Sequence, residues 1–166
     1  KEDYFLIVSR LVGAKGLEEA AAVAKELNLK LKIAGGTAGY AKIKEKLAKI
    51  GGENIQFLGR VSDEELVVLY AKAKGFIALA RDEDFGMTVV EAQAAGTPVI
   101  AFNGGGFRES VVDGKTGILI NDTSIKTIKK AIDRFNRIKW DKKELQKQAR
   151  KFSKERFKKE IKRFVQ

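Results

Sequence analysis

The 166-residue chain contains no cysteine and no histidine. Without cysteine there are no disulfides and no thiolate nucleophiles, and without either residue the usual zinc ligands and every triad built on imidazole are excluded. Any metal would have to be a hard cation held by carboxylates. Proline and methionine occur once each, and this scarcity beside abundant Lys and Glu leans towards a thermophilic source. No stretch approaches the length of a membrane span and no signal-like segment opens the chain. The expectation is a cytoplasmic protein or a fragment of a larger one. The length suits one domain of ordinary size with its own core.

Charge is abundant but unevenly placed. The net charge is +11, yet residues 1 to 122 hold 16 Lys/Arg against 17 Asp/Glu, and residues 123 to 166 hold the other 17 Lys/Arg against 5 Asp/Glu. A basic face confined to the last 44 residues could meet anionic lipid or nucleic acid. A solvated lysine-rich helix face is the favoured reading. No internal repeat, low-complexity segment or linker is visible.

Short apolar runs alternate with amphipathic stretches. Strands are expected at Tyr4 to Ser9, Lys30 to Ala34, Ile55 to Leu58, Gly75 to Ala80, Pro98 to Phe102 and Gly117 to Ile120. Helices are expected at Leu17 to Leu27, Tyr40 to Ile50, Asp63 to Ala73 with Ser62 as N-cap, and Met87 to Ala95. Strands alternating with helices at this spacing need crossover connections and give a parallel sheet covered on both faces. The fold class is a doubly wound, Rossmann-like α/β domain. Two further helices close the chain: Leu145, Ala149 and Phe152, then Phe157, Ile161 and Phe164, recur at helical intervals, with Ser153 capping the second. Core packing is the favoured explanation of both stripes.

Ligands of open parallel sheets bind beyond the carboxyl ends of the strands. After strand one, "SRLVGAKG" places Arg10 and Lys15 on one glycine-containing loop, where two cations could grip a diphosphate. After strand two, "AGGTAGYAK" fails the dinucleotide pattern G-x-G-x-x-G and reads as a turn. After strand four, "EDFGMTVVE" sets Glu83 before a helix start and Glu91 one turn inside it. The free amides near Gly86, Met87 and Thr88 and the positive dipole end form an anion site. The two glutamates repel phosphate and instead suit hydroxyls. A ligand with phosphates in the middle and sugars at both ends, a nucleotide sugar, satisfies all of these groups. After strand five, Gly104, Gly105 and Gly106 followed by Glu109 are balanced between a ligand loop and a plain turn with a helix acid.

"SRLVGAKG", "IQFLGRVSDEELVVLYAKAKGFIAL", "EDFGMTVVEAQAAGTPVIAFNGGGFRESVVDGKTGIL" and "FSKERF" together resemble, in order, the C-terminal domain of retaining glycosyltransferases of family 4, which adopt the GT-B fold. The resemblance covers essentially the whole chain, and its E-x7-E block is highly specific. "EAQAAGTPVIA" is most similar to mannosyltransferases of polysaccharide and lipid-glycan assembly, which makes GDP-mannose the first expectation for the donor. The resemblance implies that Arg10 and Lys15 bind the donor diphosphate, Glu83 holds hydroxyls of the transferred sugar and Glu91 holds the ribose. It further implies that Phe85, Gly86, Met87 and Thr88 meet the sugar and β-phosphate, and that Gly59, Arg60 and Val61 lie beside the base. No cofactor and no metal are implied. The Asp82 to Asp84 acids satisfy a D-x-D metal pattern, but the cations and the helix start make a metal redundant. Two positions depart from the family: Leu79 and Ala80 replace its Pro-Ser, and Thr37 replaces its second glycine after strand two.

The family's N-terminal acceptor domain is not within this chain, so residues 1–166 are expected to bind donor and transfer nothing alone. A glycan or lipid-linked acceptor would reach the enzyme through that other domain, with residues 123–166 resting on anionic membrane as a possible peripheral contact. Two alternatives stay open. One is a GT-B relative such as a nucleotide-sugar epimerase or a phosphorylase, against which the E-x7-E block is the main evidence. The other is a non-catalytic membrane- or nucleic-acid-binding module driven by the basic C-terminus. Nucleic acid is disfavoured because Phe152, Phe157 and Phe164 fall on an apolar stripe rather than among the lysines.

Overall fold

The computed structural model describes residues 1–37 and 41–165, the Ala41 side chain aside. Gly39 and Tyr40, in the second glycine loop and at the expected start of the helix after it, lie outside the described residues.

Six strands form one sheet: β1 (Phe5–Val8), β2 (Leu31–Ala34), β3 (Ile55–Gly59), β4 (Gly75–Ala78), β5 (Val99–Phe102) and β6 (Gly117–Ile120). All neighbours run parallel in the order β3-β2-β1-β4-β5-β6. Between them lie α1 (Leu17–Glu26), α2 (Ala41–Gly51), α3 (Asp63–Lys72), α4 (Met87–Ala94) and the single turn α5 (Phe107–Ser110). Three helices close the chain: α6 (Ile125–Arg137), α7 (Lys142–Arg150) and α8 (Lys154–Phe164). The last two are those expected from the sequence, and Ser153 caps α8 by accepting from the Arg156 amide. The helix before them, α6, is an addition, capped by Ser124.

The alternation along each strand builds two cores. Phe5 and Ile7 of β1, Ile77 of β4 and Ile100 of β5 face a cluster completed by α1 and α6. Leu6, Phe76, Ala78, Val99 and Ala101 point the other way, onto residues of α3, α4 and α5. Burial of a large aliphatic or aromatic side chain contributes about 1.5–3 kcal/mol, so both faces of the sheet need their helices. Helix α3 begins with a capping box in which Ser62 accepts from the Glu65 amide while the Glu65 carboxylate accepts from the Ser62 amide.

The stripe on α8 corrects one expectation. Leu145 and Ala149 of α7 are buried as anticipated, but Phe157, Ile161 and Phe164 are 65%, 46% and 88% exposed. Phe152 packs edge-on against Phe85 at 5.4 Å between ring centroids. Beyond it the helix leaves the body of the domain, and among the described residues nothing covers its apolar face. No helix among the described residues is long and apolar enough to cross a membrane.

Candidate functional site

Strands β1 and β4 are neighbours, but β1 leads into α1 on one face of the sheet and β4 into α4 on the other. Their carboxyl ends therefore part, which is the crevice expected at the switch point of a doubly wound sheet. A cavity of about 410 Å³ opens there, lined by Ser9, Arg10 and Lys15 from the β1 side and by Glu83, Phe85, Gly86, Met87 and Thr88 from the β4 side. A second cavity of about 430 Å³ lies towards α1, between Glu18, Glu19, Arg81 and Asp82, and Lys15 lines both.

The start of α4 is built by glycine. Gly86 is its N-cap at φ 79°, in the left-handed region, and no side chain caps the helix. A Cβ there would lie 2.4 Å from the ring of Phe107, so the tight entry needs both the conformation and the space of glycine. The first turn carries no acid, and the amides of Met87 and Thr88 have no protein acceptor among the described residues. Such a terminus presents N–H groups and a positive dipole end to the cavity.

The glycine run at Gly104 to Gly106 serves this loop. The Gly106 amide donates to the Glu83 carbonyl at 3.0 Å. A Cβ on Gly105 would fall 2.2 Å from that same oxygen, and one on Gly106 would fall 2.4 Å from the Phe85 Cα. The run is thus a backbone cradle for residues 83–85. Glu109 follows on α5 and is absent from the cavity lining.

Lys15 and Glu83, set on opposite banks, reach each other: the ammonium donates to Glu83 Oε2 at 2.8 Å. Both side chains are about three-quarters buried, 26% and 29% exposed. Arg10 is exposed and has no ion-pair partner among the described residues. Arg10 and Lys15 share the cavity with Glu83 and Asp84, so its charged side chains balance, and it is the uncapped helix start beside the available Arg10 that favours an anion there. Among the described residues, no group of three or more His, Cys, Asp or Glu is placed to hold a metal.

Glu91 lies four residues beyond Met87 and three beyond Thr88, and so shares their face of α4 one turn away from the cavity. Its Oε2 accepts from the hydroxyl of Tyr70 at 2.8 Å. Burial and then the negative charge of Glu91 push the Tyr70 hydroxyl far above its ordinary pKa, so it stays protonated and remains a donor. Tyr70 was not singled out from the sequence, where it fills an apolar position of α3 and carries no separate signal.

Other expected site residues fall outside the cavity. Arg60 and Val61 follow β3, two strands from β1, and are absent from its lining. Arg60 lies against the loop after β2, with its Cγ 3.6 Å from where a Cβ on Gly36 would stand. Val61 lines a shallow apolar depression with Leu58, Val68 and Leu69. Leu79 and Ala80 line the cavity as apolar wall and offer no hydroxyl there.

Residues 1–156 match the family model described as glycosyl transferases group 1. An uncharacterized glycosyltransferase of Methanocaldococcus jannaschii is 32% identical over 130 residues, 78% of this chain and 37% of that protein. The alpha-1,3/1,6-mannosyltransferase ALG2 of Dictyostelium discoideum is 40% identical over 98 residues, 58% of this chain and 22% of that protein. Among solved structures, the lipopolysaccharide outer core galactosyltransferase WaaB superposes with a TM-score of 0.85 at 20% identity, over 99% of this chain and 49% of that one. The chain thus spans between about a fifth and a half of the length of these proteins. The doubly wound sheet is that of the Rossmann-like domains of GT-B glycosyltransferases.

Proposed function

The chain belongs to the group 1 glycosyl transferases, and from that premise we propose that it is the nucleotide-sugar-binding domain of a retaining enzyme of family 4. In this reading the whole protein transfers a hexose, mannose from GDP-mannose, to a glycan or lipid-linked acceptor. The observation that carries it is the uncapped start of α4, set between Glu83 and Glu91 and facing Arg10 and Lys15 across one cavity. The diphosphate lies on the Met87 and Thr88 amides with Arg10 and Lys15 beside it. Glu83 accepts from hydroxyls of the transferred sugar and Glu91 from those of the ribose. Arg60 and Val61 extend the site towards the base.

Transfer breaks the bond from the anomeric carbon to the diphosphate oxygen, which leaves with the electron pair, while the acceptor oxygen bonds to that carbon and passes its proton to the departing diphosphate. The task of this domain is to stabilise the departing diphosphate, which preorganised amides and cations do without reorganising. With that much positive charge in place the reading assigns no metal. Mannose rests on the ALG2 likeness and the "EAQAAGTPVIA" stretch alone, and the galactosyltransferase likeness belongs to the fold. The domain binds donor in the cytoplasm and leaves it untransferred without the other domain. Its basic residues 123–166 could rest on anionic membrane, a contact that co-sedimentation indifferent to anionic lipid would refute.

Calorimetric titration with GDP-mannose, GDP, UDP-glucose and UDP, with and without Mg²⁺, tests the whole reading. Metal-independent binding of one base series, weakened by Arg10→Ala and Glu91→Ala, is the expected result. Absence of binding to all four would refute it.

A further inference from the structure

Glu91 stands on the exposed side of α4, where a free glutamate would sample many rotamers; yet one of its oxygens is tethered from a neighbouring helix. The Tyr70 hydroxyl, on α3, donates to Glu91 Oε2 at 2.8 Å. Tyr70 is itself 3% exposed, and its ring packs on Phe76 of β4 at 5.5 Å between centroids. Its carbonyl accepts from the buried hydroxyl of Thr97, so backbone and side chain are both held. A phenol has one proton to donate, and here it goes to Glu91. A carboxylate has about four acceptor directions, so the bond leaves Oε1 wholly available while fixing the torsions that aim it.

We propose that Tyr70 is a positioning residue: it orders the Glu91 carboxylate before ligand arrives, so that Oε1 meets the ribose hydroxyls of a nucleotide without losing rotamer freedom on binding. This rests on the proposed reading of Glu91 as the ribose ligand. A side chain of this kind loses rotamer freedom when it is fixed, and the tether moves that cost from binding to folding. Donor capacity does not vary with pH, because burial and the adjacent carboxylate keep the phenol protonated.

The test compares the wild-type chain with Tyr70→Phe, which keeps the ring and removes the one donor. Affinities are measured for GDP and UDP and for their 2′,3′-dideoxy analogues. The expected result is a loss of about fivefold for the preferred ribonucleotide, the size of one modest hydrogen bond, with affinity for the dideoxy analogue unchanged. In a Glu91→Ala background the Tyr70→Phe effect should disappear. Equal weakening of ribo and dideoxy forms would reveal a merely structural tyrosine and overturn the proposal, as would no weakening at all. If Tyr70→Phe fails to fold, the wild-type hydroxyl proton of Tyr70 gives a second reading by NMR. It should be protected from exchange and shifted by the ribonucleotide but not by the dideoxy form; a shift with both, or with neither, overturns the proposal. A wild-type chain that binds no nucleotide refutes the donor-site reading itself, whereas one that prefers ribose but ignores Tyr70→Phe refutes only the role of Tyr70.

Discussion

Replacing Glu83 by Gln separates the ion pair that this side chain makes in the structure from the sugar-binding role proposed for it. Glu83 neutralises Lys15 at 2.8 Å; in the proposed complex it accepts from sugar hydroxyls while Lys15 turns to the diphosphate. The glutamine keeps the shape and removes the charge. The pair is about three-quarters buried, at 26% and 29% exposed, so removing the Glu83 charge leaves Lys15 uncompensated and should cost more than the roughly 1 kcal/mol of a surface pair, with melting below wild type. Binding should change with opposite signs for two ligands. A bare nucleoside diphosphate no longer meets the Glu83 carboxylate in the same cavity, which removes a repulsion on the order of 1 kcal/mol. GDP or UDP should therefore bind about fivefold more tightly. The nucleotide sugar should lose its advantage over the bare diphosphate, since the hydroxyl contact to a charged acceptor is gone. Calorimetry in about 0.05 M and about 1 M salt checks the electrostatic part, because the Debye length of about 3 Å at the higher salt should erase the gain. If Glu83→Gln weakens the bare diphosphate as much as the nucleotide sugar, Glu83 serves to build its loop and the counter-ion argument fails.

Gly86→Ala should destabilise the domain by about 3 kcal/mol and abolish nucleotide binding, because φ 79° and the 2.4 Å approach to Phe107 both forbid a Cβ; urea unfolding beside a titration measures the two effects. Phe157→Ser with Ile161→Ser should leave the unfolding midpoint within about 0.5 kcal/mol of wild type, since neither side chain is in the core, and a large loss would mean that α8 packs on the domain in solution. Asp113 receives the Arg134 fork at 3.0 and 2.8 Å. Burial opposes its ionisation, but the fork and the Leu119 amide outweigh burial and hold its pKa below the ordinary value. A lowered folded pKa gives stability that is present above the unfolded value of about 3.9 and lost as pH falls through the folded one. Asp113→Asn should thus lower the melting temperature at pH 7, with the gap beginning to close below about pH 4 and vanishing only once the pH is under the lowered folded value; a gap that persists in strong acid would refute the ion-pair account.

Most strands were legible as short apolar runs buried on both faces, and the edge strand β3, with Gln56 exposed and no residue fully buried, was legible from its apolar residues and flanking turns; the observed strands fall on the expected runs to within a residue or two. The start of α4 was legible for a local reason: the Phe85 and Gly86 turn before an apolar helix is written within a few residues. Groups that act through tertiary contact were not. Lys15 and Glu83 each suit a ligand, and nothing in the spacing of residues 68 apart says that they pair with each other. Tyr70 reads as one more core position of α3, and only the packing of α3 beside α4 turns its hydroxyl towards Glu91. Gly104 to Gly106 could equally have faced a ligand, and the bond from Gly106 to the Glu83 carbonyl assigns the run to the loop instead.

The three closing helices show where pattern reasoning stops. Ile128, Ala131, Ile132 and Phe135 of α6 carry the helical period, as do Leu145 and Ala149 of α7 and Phe157, Ile161 and Phe164 of α8. A period of 3.6 residues states that one face avoids water, and it is silent about what covers that face. For α6 and α7 the cover is this domain. For α8 the same period lies on an open face, so burial there is a property of whatever the helix meets. The uneven charge follows the same logic. The part of the chain that builds the anion site is close to neutral overall, at 16 Lys/Arg against 17 Asp/Glu. The diphosphate affinity proposed above must therefore come from where a few groups point, namely Arg10, Lys15 and the amides of α4, because the net charge of this part of the chain does not supply it.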